Sequence, residues 1–147
     1  MIPGLEKATA GAVSLRLRHV LIVDDALPVR RKLIEILHRS GLSATEMSQA
    51  ESAEHALEIF AMQNPTLIFA EFVGEGSAGL EMVLEMLHID PQAKVVLVTA
   101  DDPASPMVRA AIRAGVFGVV QKPLRHEAIR QILAEIESEE GGIERYR

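Results

Sequence analysis

Five times along the chain, a short apolar run gives way to a segment whose apolar residues recur at helical spacing. The first run, HVLIVD (19–24), is β-branched and almost continuously apolar, the pattern of a strand buried on both faces. PVRRKLIEILHRS (28–40) follows, with Val29, Leu33, Ile36 and Leu37 on one helical stripe. Pro28 suits a first helical turn and Gly41 supplies the stop. SATEMS (43–48) reads as a weaker, partly polar strand at a sheet edge. Ser52 is placed to cap a helix through Ala56, Leu57 and Phe60 that ends before Pro65. TLIFAE (66–71) is a second buried-type strand. The loop FVGEGSAG then leads to a helix with Leu80, Val83, Leu84 and Leu87 on one stripe. KVVLVTA (94–100) is the third strongly apolar run, and after DDPASP the residues Val108, Ala111 and Ile112 predict a small-residue helix closed by Gly115. FGVV (117–120) is the last strand. Ile129, Ile132, Leu133 and Ile136 define the last amphipathic helix.

Strand and helix alternate strictly, which predicts an α/β fold with a parallel sheet covered by helices on both faces. Residues 1–17 lack a clear period and read as an N-terminal arm. Residues 18–137 form the domain, and 138–147 a polar C-terminal tail.

Composition narrows the chemistry. The chain of 147 residues is 48% apolar, enough for one domain with a real core. With no cysteine, a disulfide framework, cysteine-ligated zinc, iron–sulfur clusters and thiol catalysis are excluded. A net charge of -6 has the wrong sign for a general phosphate-backbone binder, and 3% aromatics leave no stacking platform, so no nucleic-acid partner is expected. No run approaches the roughly 20 apolar residues of a membrane span, and the N-terminus lacks the apolar segment of a signal peptide.

In parallel sheets of this kind, sites form where loops leave the carboxyl ends of the strands. The strands deliver Asp24–Asp25, Glu71, Thr99 and Lys122 to those ends. Three carboxylates, a hydroxyl and an ammonium would converge on one edge. Such a set suits a hard divalent cation, with a cation and a donor to hold a phosphoryl-like group.

These residues, in this order, resemble the receiver domains of two-component response regulators over about residues 18–137. The features that match are Asp24–Asp25 after the first strand, Thr99–Ala100 after the fourth and Lys122–Pro123 after the fifth. Gly79-Leu80-Glu81, opening the third helix, matches as well. The resemblance implies a doubly wound, flavodoxin-like (βα)5 fold with strand order 2-1-3-4-5. It implies Mg²⁺ at the acidic pair, and phosphate transfer from a histidine kinase to an aspartate after the third strand. It also implies that Thr99 and Lys122 contact the phosphoryl group, that the Lys122–Pro123 bond is cis, and that the protein works in a bacterial cytoplasm.

The departures from the family pattern shape the expected function. Glu71 stands at the phosphoacceptor position, and no aspartate lies between residues 66 and 80. Gly74-Glu75 replaces the usual Met-Pro, and Val119 stands where the family's switching aromatic would be, with Phe117 two residues earlier on the same strand face. A glutamate brings one charge and two oxygens, whereas a phosphate brings about −1.5 to −2 and three, so mimicry of the phosphorylated state is partial. The expectation is a stand-alone, atypical receiver with no output domain, not an enzyme, acting through protein–protein contacts. Its partner is a histidine kinase, a phosphotransfer protein or a downstream effector, and pairing as a homodimer is left open. Asp24, Asp25 and Glu71 are the metal candidates, for weak Mg²⁺ binding. Three readings of Glu71 stay open: permanent signalling, a degenerate site kept for folding, and regulation by another ligand or modification. The rivals are a conventional phosphorelay receiver and a small flavin- or nucleotide-binding protein, the latter opposed by acidic residues after the first strand.

Other features read as structural. The five histidines show no metal spacing, and His38 and His88 sit at helix ends where a cation is favourable. Met82 and Met86 suit core or edge packing. Gly74, Gly76 and Gly79 lack phosphate-loop spacing and read as loop flexibility. Arg109, Arg113, Arg125 and Arg130, and the run Glu135 to Glu140, read as solvated surface.

Overall fold

The computed structural model describes residues 19–42 and 46–138. Five strands carry the apolar runs: β1 (His19–Val23), β2 (Glu46–Ala50), β3 (Leu67–Ala70), β4 (Lys94–Thr99) and β5 (Gly118–Gln121). Five helices alternate with them: α1 (Leu27–Arg39), α2 (Ala53–Gln63), α3 (Ala78–Ile89), α4 (Pro106–Ala114) and α5 (His126–Ser138). The strands are parallel in the order β2-β1-β3-β4-β5, as the resemblance implies.

The unbroken apolar character of the central strands follows from this arrangement, because each faces a helical layer on either side. Val20 and Ile22 of β1, Leu67 and Phe69 of β3 and Val96 and Val98 of β4 point to one layer. There they meet Leu33, Ile36 and Leu37 of α1 and Ile129, Ile132, Leu133 and Ile136 of α5. The alternate residues Leu21, Val23, Ile68, Ala70, Val95 and Leu97 meet Phe60 of α2, Met82, Val83 and Met86 of α3, and Val108 and Ala111 of α4. Each fully buried large side chain contributes about 1.5–3 kcal/mol of transfer free energy.

Helix ends follow the expected chemistry. Ser52 Oγ and Ser105 Oγ accept the backbone N–H groups of His55 and Val108, closing the first turns of α2 and α4. Gly115 ends α4 at a positive φ of 111°. His38 and His88 lie in the last turns of α1 and α3.

Several sequence expectations need correction. The second strand runs Glu46–Ala50 rather than 43–48, and residues 43–45 lie outside the described set. It is still the edge strand expected, and its polar sequence hid its bounds because only Ala50 is buried. Leu84 is 40% exposed; the buried face of α3 is instead Gly79, Met82, Val83, Met86 and Leu87. The two methionines, unbranched and adaptable, take the inward stripe that Leu84 was expected to share. Phe117 and Val119 do not share a face. Phe117 precedes β5 and joins the α1/α5 layer, while Val119 packs toward α2–α4. Period-two alternation begins only at Gly118, where the strand begins. The expected N-terminal arm (1–17) and the tail beyond Ser138 lie outside the described residues.

Candidate functional site

Strand pairing continues one step past the strands and fixes the site's backbone. Asp24 N–H donates to the Ala50 carbonyl at 3.1 Å, Glu71 N–H to Val23 at 2.9 Å, and Lys122 N–H to Thr99 at 2.8 Å. The residues that follow β1, β3 and β5 are therefore held level at the carboxyl edge. The Lys122–Pro123 bond is cis, as the resemblance implies.

At that edge, Lys122 Nζ lies 2.9 Å from Asp24 Oδ2 and 3.2 Å from Glu71 Oε2. One ammonium bridges two carboxylates that sit 47 positions apart in the sequence. The other carboxylate oxygens are also occupied. Asp24 Oδ1 accepts the Ala26 N–H at 2.9 Å, and Glu71 Oε1 accepts the Phe72 N–H at 2.6 Å. Burial by itself lowers the Lys122 pKa, but the hydrogen bond and charge of Asp24, together with the charge of Glu71, outweigh it. The ammonium is raised above its usual 10.5.

Not every expected member joins this cluster. The Asp25 side chain is exposed. Thr99 is buried, but its Oγ1 accepts the Asp101 N–H at 3.0 Å, and the hydroxyl makes no hydrogen bond to Glu71 or Lys122. Val119, expected from the resemblance to stand at the switch position, is half-buried. The expected metal set Asp24, Asp25 and Glu71 is not assembled. Among the described residues no group of three His, Cys, Asp or Glu side chains is placed to hold a metal ion. The chemistry of the donors explains this: Lys122 satisfies the charge that a divalent cation would neutralise, and backbone amides take the remaining oxygens. The residues present do not fit a resident Mg²⁺.

Three contributors escaped the sequence reading. Arg30, one turn into α1, donates from Nη1 to the Asp24 carbonyl at 2.7 Å and from Nε to Gln49 Oε1 at 2.9 Å. It ties α1 to the ends of β1 and β2. The Phe72 amide, a backbone group, carries no signal in the side-chain pattern. Gly79, read as loop flexibility, is a point of close approach: a Cβ there would lie 2.5 Å from the Phe72 Cα and 2.6 Å from the Val73 nitrogen. Only glycine lets α3 pack against the backbone beside Glu71. On the α1 side of Lys122 a cleft of about 360 Å³ is lined by Pro28, Val29, Lys32, Lys122, Pro123 and Leu124.

This arrangement can be set against known proteins. The family model for the response regulator receiver domain matches residues 20–134. The chain belongs to this family. Receiver domains serve two-component signalling, and a receiver-type signalling role follows. The chemotaxis protein CheY of Thermotoga maritima is 27% identical over 119 residues, covering 81% of this chain and 97% of that protein. CheY of Bacillus subtilis is 28% identical over 114 residues, covering 78% of this chain and 92% of that one. Among solved structures, a receiver domain protein of Clostridium thermocellum superposes with a TM-score of 0.72 at 18% identity, covering 84% and 96% of the two chains. A CheY-like receiver from Methanospirillum hungatei superposes with a TM-score of 0.69 at 24% identity, covering 84% and 98%. These two likenesses show the fold, that of a flavodoxin-like receiver. Members of the family typically bind Mg²⁺ at the acidic phosphorylation site and meet histidine kinases, phosphotransfer proteins and effectors. Among the described residues no helix is long and apolar enough to cross a membrane.

Proposed function

We propose that this receiver is not switched by phosphate at the usual position and signals through protein–protein contacts with Glu71 as a permanent carboxylate. The observation that carries the reading is the Glu71 side chain itself. Its Oε2 is paired with Lys122 at 3.2 Å while its Oε1 is held by the Phe72 amide at 2.6 Å. The glutamate thus holds the lysine that would otherwise meet a phosphoryl group. The Thr99 hydroxyl oxygen engaged with Asp101, and Val119 in place of an aromatic, support the same conclusion. In this reading Glu71 is the phosphoacceptor equivalent, Thr99 and Lys122 are the phosphoryl-site equivalents, and Val119 is the inert switch position. Any Mg²⁺ binding at Asp24, Asp25 and Glu71 is weak, because the ion must compete with Lys122. The partner is a histidine kinase, a phosphotransfer protein or a downstream effector, by the same protein contacts that receivers use.

Incubation with a small phosphodonor and Mg²⁺, read by intact mass, tests this directly. Wild type is expected to gain no phosphoryl mass. A stable phosphoryl adduct mapped to Glu71 refutes the reading and restores the conventional phosphorelay receiver. Glu71→Asp, in the same assay, is expected to gain the adduct if the pocket around it is otherwise competent.

A further inference from the structure

The family places a divalent cation at the carboxyl edge, yet the donors of this chain are arranged for something else. Asp24 and Glu71 together offer four carboxylate oxygens. Two are bonded to backbone amides, Ala26 N–H at 2.9 Å and Phe72 N–H at 2.6 Å. The other two converge on one ammonium at 2.9 and 3.2 Å. None of the four is without a donor. The backbone of Asp24 is tied to α1 through its carbonyl, which accepts from Arg30 Nη1 at 2.7 Å, while its carboxylate is held by the Ala26 amide and Lys122. The third carboxylate, Asp25, is exposed.

We infer that Lys122 is the resident cation of this pocket and keeps divalent metal out of it. The extra methylene of Glu71 is what completes the enclosure. It carries the carboxylate far enough for one oxygen to fold back onto the following backbone amide while the other reaches the lysine. Two negative charges against one positive leave a formal charge of −1, and no oxygen pair is free to coordinate a small hard ion that demands near-octahedral oxygen geometry. Removing the ammonium reverses the balance. Two carboxylates then face each other with no counter-charge, and a divalent cation becomes the favourable partner.

This inference rests on Glu71 as a permanent carboxylate, but its readout is metal rather than phosphate, so the two can fail separately. The test titrates Mg²⁺ alone, to millimolar concentration, into wild type, Lys122→Met, Lys122→Gln and Lys122→Arg. Calorimetry measures binding, and the shift in Tm on adding Mg²⁺ provides a second measure. Wild type and Lys122→Arg are expected to show neither heat nor a Tm shift. Lys122→Met is expected to bind at least about tenfold more tightly than wild type, the equivalent of one modest ion pair, and to rise in Tm with Mg²⁺. Lys122→Gln gives the same answer if the methionine variant fails to fold. Wild type binding Mg²⁺ as tightly as Lys122→Met overturns the inference, because the lysine would then guard nothing. So does the absence of binding to every variant, because the carboxylate pair would then be no cation site at all.

Discussion

β1 ends in two polar clusters of different design. At its carboxyl end, Asp24 joins Glu71 and Lys122 through charged contacts of 2.9 and 3.2 Å, drawing on the ends of β1, β3 and β5. At its amino end, buried His19 joins Ser48 of β2 at 2.9 Å, and Ser48 donates to Gln63 Oε1 at the end of α2, also at 2.9 Å. Glu46 approaches His19 Nδ1 only to 4.0 Å and is 70% exposed. The amino-end cluster is a relay of side-chain hydrogen bonds that ties the edge strand to its neighbours. The carboxyl-end cluster is charged, sheltered and linked across 98 positions of sequence between Asp24 and Lys122. The contrast teaches that polar closure of a strand can be built from close ion pairs between distant strand ends or from a short relay of side-chain hydrogen bonds. What separates them is whether a charge must be balanced.

The largest expected effect lies beside the charged cluster. Gly79→Ala forces a methyl into the Phe72 backbone and is expected to cost about 3 kcal/mol, the upper part of the range for overpacking. Chemical denaturation measures it. A cost near zero would show that the carboxyl edge is as forgiving as the amino edge. Lys122→Met leaves Asp24 and Glu71 unbalanced and is expected to cost about 2 kcal/mol, in the range of a hydrogen bond to a charged group.

The same lysine makes the two clusters separable by pH. Its pKa is raised in the folded protein, so its contribution is fully present below the usual 10.5 and is lost as pH rises through the higher folded value. Wild type is expected to lose stability in that alkaline window, whereas Lys122→Met has no such phase. Urea melts at increasing alkaline pH decide it. Identical alkaline curves for the two proteins would remove Lys122 from the account.

Smaller effects belong to the amino end. Ser48→Ala deletes both of its hydrogen bonds, to His19 and Gln63, and is expected to cost about 1 kcal/mol. Glu46→Gln is expected to change stability by less than about 0.5 kcal/mol, as for an exposed, loose ion pair. Because β1 spans about 16 Å at the rise of a strand, Ser48→Ala and Lys122→Met should add within about 0.5 kcal/mol in the double variant. A larger coupling would mean that the two clusters communicate along the strand.

Much of this was legible in residue patterns. The unbroken runs of β1, β3 and β4 announced strands buried on two faces, and Ser52 and Gly115 sit at the helix boundaries expected of them. The polar edge strand was readable as an edge but not in its bounds, since a strand with one buried residue carries almost no hydrophobic signal. Leu84 misled because a helix stripe can be filled by Met82 and Met86 as well as by leucine, and spacing alone does not choose. Gly79 misled because a glycine demanded by close packing looks like a glycine in a flexible loop.

By itself, the sequence determined the alternation of elements, the two-layer covering of the sheet and the residue types carried to its carboxyl edge. Those depend on local periodicity and on which residues can tolerate burial, both of which are written along the chain. Only the tertiary structure decided which of those residues meet. Strand register set Asp24, Glu71 and Lys122 level with one another, while the Thr99 oxygen accepts the nearby Asp101 N–H and Asp25 is exposed. Where the Lys122 ammonium sits is fixed by packing across the whole sheet. The sequence around Lys122 does not choose its partners, because Asp24 and Glu71 arrive from the ends of other strands.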